Sequence, residues 1–148
     1  MKITDMITPT GIARPEMPVR EALRLCVAAD VPGIPFGDEQ GIRGRISVRH
    51  ILTHTCIPEY MVRYAHVIGE RLDHLALPEE KAKVVLRLPI DPFVLEAYPA
   101  ITSHSPLVKA LALMEEFDTH YLFVIDEGRY LGVVTHLAIA RRMLELDG

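Results

Sequence analysis

Pro18-Val19-Arg20-Glu21-Ala22-Leu23-Arg24-Leu25 returns 88 residues later as Pro106-Leu107-Val108-Lys109-Ala110-Leu111-Ala112-Leu113, and that return decides the fold. In both stretches a proline stands where a helix would open, at the first helical position, where its missing N–H costs nothing. Apolar residues then recur at helical spacing: Val19, Ala22, Leu23 and Cys26 in the first, Leu107, Ala110, Leu111 and Met114 in the second. The same offset runs without a gap from Pro18 to Leu52, adding the identities Asp30/Asp118, Asp38/Asp126, Glu39/Glu127, Gly44/Gly132 and Ile51/Ile139. Nine identities in 35 positions are few. Their weight comes from Val19/Leu107, Cys26/Met114, Ile46/Val134 and Ser47/Thr135, which keep size and polarity and mark an internal repeat.

Each copy carries the same grammar. After the helix comes a short apolar strand, Ile34-Pro35-Phe36 in the first copy and Tyr121 to Ile125 in the second. A turn built on Asp-Glu follows, at Asp38-Glu39-Gln40-Gly41 and Asp126-Glu127-Gly128. A second strand, Gly44-Arg45-Ile46-Ser47 or Gly132-Val133-Val134-Thr135, runs directly into another helix. With an opening strand this gives strand–helix–strand–strand–helix, twice, an α+β fold. One copy is too small to cover its own sheet, so the two are expected to pack about a pseudo-two-fold axis.

The order Asp-Met-Ile, Pro-Val-x-Glu-Ala-Leu-x-Leu, Asp-Glu-x-Gly, Gly-x-Ile-Ser resembles the CBS repeat, the unit that pairs into a Bateman module. The matching residues are Asp5 to Thr8, Pro18 to Leu25, Asp38 to Gly41 and Gly44 to Leu52, then Pro106 to Met114, Asp126 to Gly128 and Gly132 to Ala140. The resemblance covers roughly two thirds of the chain. It implies two β-α-β-β-α CBS repeats, residues 1–52 and 90–148, joined by a helical linker over 53–89. It also implies adenosine-type ligands (AMP, ADP, ATP or S-adenosylmethionine) in clefts between the repeats, and an arrangement as a homodimer. No permanently bound cofactor and no catalysis are implied.

CBS pairs resemble one another in a Gly-x-x-(Ser/Thr)-x-x-Asp signature, whose hydroxyl and helix N-terminus meet phosphate and whose aspartate holds the ribose. Ser47 and Thr135 stand at the hydroxyl position, but the aspartate position holds His50 in the first copy and Ala138 in the second. Alanine accepts no hydrogen bond, and neutral histidine offers one acceptor against a carboxylate's two oxygens. The residues expected to bind a ligand are Ile12, Arg14, Arg45, Ser47 and His50, with Ile101, Thr102, Thr135 and His136. Ser47 and Thr135 read equally well as helix N-caps alone. Arg43 and Arg45 alternate along one strand and so share a face that could grip an anion, beside Arg14 and Arg49; the second copy offers His104, His120 and His136 instead. A solvated face accounts for either set, and if a site survives the first copy is expected to bind the anion.

Between the copies, Pro58-Glu59 opens one amphipathic stretch with Met61, Ala65, Ile68 and Leu72 on a face, and Pro78-Glu79-Glu80 opens another with Ala82, Val85 and Leu86, ending near Pro89. Such stripes are expected to pack as core before they dock partners. His50 and His54 share a helix face ahead of Cys56, but with no acidic partner no metal site is expected. Cys26 on an apolar helix face reads as a buried free thiol. The chain has 148 residues, 49% of them apolar and 24% charged, which describes a globular protein. Its net charge of −4 argues against nucleic acid as partner, no apolar run is long enough for membrane insertion, and the N-terminus lacks a signal-peptide core, so a cytoplasmic location is expected. No HExxH, nucleophile elbow or phosphate-binding glycine loop occurs, so a non-enzymatic regulatory module acting on an effector protein in trans is expected. The alternative is the same fold serving only as a dimerisation and interaction scaffold.

Overall fold

The first hairpin, β1 (Gly33–Asp38) with β2 (Gly41–Ser47), sets the pattern that the whole molecule repeats. A computed structural model describes residues 1–56 and 79–148. The strands pair antiparallel from Gly33↔Ser47 to Phe36↔Gly44, then shift register to Gly37↔Ile42. In the second copy β4 (Tyr121–Asp126) and β5 (Arg129–Thr135) pair from Tyr121↔Thr135 to Val124↔Gly132 and shift to Ile125↔Tyr130, the same bulge at the same offset. Each second strand feeds straight into a helix, α2 (Val48–Cys56) in the first repeat and α5 (His136–Glu145) in the last. The helices before the hairpins are α1 (Val19–Ala29) and α4 (Leu107–Glu116). Pro18 and Pro106 each stand one residue earlier than the sequence suggests, as N-cap residues in extended conformation. The carbonyls of both accept the first helical hydrogen bonds, and proline's fixed φ suits that position too. After α1 and α4 the chain turns through left-handed Asp30 and Asp118, which explains why this pair is identical.

The opening strand of the repeat differs between copies. In the second, β3 (Ala100–Ile101) runs parallel to β4 through Ala100↔Phe123 and Ile101↔Val124. In the first it is reduced to one parallel bridge, Ala13↔Phe36, at the same offset. The outer edge of each sheet is closed by the other repeat's leading segment. Thr8 pairs with Val133 of β5 (N···O 2.8 and 2.9 Å), and Leu95 pairs with Arg45 of β2 (2.8 and 3.0 Å). A Cβ at Gly132 would lie 2.5 Å from the Thr8 carbonyl oxygen, and one at Gly44 would lie 2.7 Å from that of Leu95, so the glycine pair admits the crossing strands.

The exchange extends into the core. Ile3 and Met6, on a short 3-10 turn (Ile3–Met6), are buried with Ala110, Met114, Leu122 and Ile139 of the second repeat. Ile90 and Val85 are buried with Val19, Ile34 and Ile46 of the first. Val85 lies on α3 (Glu79–Arg87), which agrees with the second amphipathic stretch expected between the repeats and packs against α1 and α2. The stretch around Met61 to Leu72 lies outside the described residues, as does the Cys56 side chain. Cys26 is a free, buried thiol, and burial pushes its pKa up to about 12.

Candidate functional site

The cleft of the first repeat is built where β2 passes into α2. Ser47, buried, ends the strand, and its hydroxyl accepts the His50 backbone N–H at 3.2 Å, capping α2. From there Arg49, His50, Thr53 and His54 stand on the first turns of the helix, while Arg45 precedes the cap on the strand. These side chains, with Leu95 from the crossing strand, enclose a cavity of about 220 Å³. A smaller space of about 40 Å³ adjoins it, sharing Arg45, Ser47 and Arg49 and reaching Asp118 and Tyr121 of the second repeat.

Arg45 spans the two repeats. Its Nε donates to the Ala97 carbonyl at 2.9 Å and one terminal nitrogen donates to the Tyr121 hydroxyl at 2.7 Å, with the guanidinium 5.7 Å from the Tyr121 ring centre. Burial raises the Tyr121 pKa against the opposing pull of Arg45 and Ser47, so the phenol stays neutral between them. Arg49 reaches only the backbone oxygen of Asp118 at 3.4 Å and its carboxylate at 3.9 Å, and both side chains are largely exposed. The His50 and His54 rings lie with centroids 4.3 Å apart. Burial first, then His54 and Arg45, hold the His50 imidazole below its ordinary pKa.

Of the residues expected to bind a ligand, Arg45, Ser47 and His50 come together here. Arg43 does not join them. It turns to Asp38 (3.1 Å) and stacks over Phe36 (5.5 Å), because the bulge after Phe36 leaves Arg43 unpaired and breaks its alternation with Arg45. Arg14 and Thr102 are exposed, Ile12 is half-buried, and Ile101 is buried in the second repeat's core. Thr135 caps α5, its hydroxyl accepting the Ala138 N–H at 3.0 Å. His136 meets His120, with Nδ1 atoms 3.3 Å apart, while His104 lies apart from them beside Asp126. Sequence reasoning missed Thr53, Leu95 and the Tyr121 anchor. Spacing along α2 signals Thr53, but nothing local signals a contact made by a chain 50 residues away.

A second, open groove of about 990 Å³ runs between α1, α2 and the start of α5, with Val27, Leu52 and Leu137 among its walls. Among the described residues, no group of three or more histidines, cysteines or carboxylates is arranged to hold a metal, and no helix is long and apolar enough to cross a membrane.

Solved structures share this fold. A CBS domain-containing protein of unknown function from Bacillus anthracis superposes with TM-score 0.67 at 18% identity, over 98% of this chain and 94% of its own. CBSX2, solved in complex with AMP, gives 0.65 at 20% identity over 99% and 98%. The CBS domain pair of protein MJ0100, solved with 5′-methylthioadenosine and S-adenosyl-L-methionine, gives 0.64 at 15% over 99% and 98%. No curated protein matches the chain by sequence. The CBS domain family matches twice, at residues 3–55 and 90–145, which together take up more than half of the sequence. With two copies of the unit, crossed at their leading strands, this chain belongs to the CBS domain family as a tandem pair.

Proposed function

We propose that the protein is a regulatory CBS pair that binds an adenine nucleotide or a related anionic small molecule in the cleft of its first repeat. The observation that carries this reading is the cavity of Arg45, Ser47, Arg49, His50 and His54. Two guanidiniums and a capped helix start face one space, an arrangement suited to a phosphate. The volume is below the roughly 300 Å³ at which pockets begin to enclose a drug-sized ligand. The anionic end therefore enters, and the nucleoside lies across the mouth. The AMP complex of CBSX2 and the S-adenosyl-L-methionine complex of the MJ0100 pair support an adenosine-type ligand. Ligand binding shifts a homodimer between two arrangements, and an effector protein in trans reads the change. The exposed apolar side chains Val27, Val108 and Leu144 supply surface for those contacts.

One observation favours the alternative, a dimerisation and interaction scaffold with no bound nucleotide. Both signature hydroxyls are already engaged as caps, and no buried side-chain polar atom among the described residues lacks a partner. Melting temperature against AMP, ADP and ATP separates the two. A ligand at 100 times its Kd stabilises by about 2.7 kcal/mol, a plain upward shift. A flat panel supports the scaffold and overturns the nucleotide reading.

A further inference from the structure

Resting on that reading, we infer that the chain takes one nucleotide, in the first cleft alone, and that the cleft selects a ligand with a phosphate chain and rejects one with a positively charged group. The two repeats supply their own comparison, because the offset that relates their strands also relates their clefts. Position by position, Arg45 answers to Val133, Arg49 to Leu137, His50 to Ala138 and His54 to Arg142. Only the hydroxyl pair Ser47/Thr135 is kept.

The second location thereby loses both strand and helix cations that could face a phosphate. Of the cations at its counterpart positions, Arg142 already faces two carboxylates, Asp5 at 3.6 Å and Glu145. Arg141, at the Thr53 position, is exposed. Asp5 comes from the leading segment that crosses to this repeat, so the exchange that builds the fold also brings an acid to Arg142.

The first cleft is the opposite case. Its lining holds two guanidiniums, two imidazoles and two hydroxyls, and no carboxylate. Arg45 keeps one terminal amino group beyond its bonds to Ala97 and Tyr121, and its position is fixed by them. Arg49 gives up only a long, exposed contact to Asp118 when it turns to a ligand. A fixed and a mobile guanidinium suit successive phosphates, each able to take a forked pair of hydrogen bonds. A sulfonium or ammonium group in this cavity would stand beside two like charges, and the acid that lines the adjoining space, Asp118, already faces Arg49.

Calorimetric titration of the full chain with ATP, pyrophosphate and S-adenosylmethionine, in magnesium-free buffer, tests this. The expected result is one ATP per chain, with S-adenosylmethionine weaker by at least about tenfold. Arg49→Gln is expected to weaken ATP by a similar factor, while Leu137→Ala, its counterpart, leaves ATP affinity unchanged. Two ATP per chain, S-adenosylmethionine binding as tightly as ATP, or equal effects of the two substitutions would each overturn the inference while leaving the nucleotide reading standing. No binding of ATP or pyrophosphate would defeat both.

Discussion

Gly33 and Tyr121 hold the same position in the two repeats and meet at the pseudo-two-fold axis. A Cβ on Gly33 would stand 2.3 Å from the Tyr121 ring, so one copy must be bare because the other is aromatic. Tyr121 is buried, and its hydroxyl anchors Arg45. Gly33→Ala is therefore expected to cost about 1–3 kcal/mol by overpacking. In a Tyr121→Ala background that cost should vanish, a coupling that urea unfolding of the single and double variants will show. His50 makes a second prediction at this scale. Burial, His54 and Arg45 depress its folded pKa, so the folded state binds fewer protons than the unfolded chain as pH falls below about 6.5. Protonation then draws the equilibrium toward unfolding, and stability drops as pH falls. His50→Gln should lose less melting temperature between pH 8 and pH 5.5 than the parent; equal losses would remove His50 as the cause.

Among the elements, the crossing strands were the least legible in the sequence. Thr8 and Leu95 each make a single bridge, too short for any period, and pair with chain far away in sequence. The helices were legible because α1 and α4 carry apolar faces three to four residues apart behind a proline, and the hairpins because Asp-Glu turns separate apolar runs. The Gly44/Gly132 identity was visible as part of a repeat, but its cause, a carbonyl within 2.7 Å of either absent Cβ, is tertiary. Gly132, at φ 155°, receives the Thr8 strand. Gly132→Ala should therefore weaken the strand exchange and destabilise by about 1–3 kcal/mol. Amide exchange at Thr8 and Val133 should rise with it. Exchange that rises evenly over the chain would contradict a local cause.

For the whole molecule, a symmetric plan carries an asymmetric pair of clefts. The α+β architecture of two repeats followed from one offset, and the departures at His50 and Ala138 showed that neither cleft keeps an aspartate. What the sequence could not show is which charged groups remain available. Arg43 is spent on Asp38 within its own hairpin and Arg142 on Glu145 within its own helix, while the Arg142–Asp5 and Arg45–Tyr121 pairings exist only once the repeats are crossed. On this reading an anion enters beside Ser47 and not beside Thr135. Amide chemical-shift mapping by NMR during ATP titration tests it most directly. Shifts should concentrate at Arg45 to His54, with Thr135 to Ala138 still; shifts centred on Thr135 to Ala138, or none at either cleft, would overturn that placement.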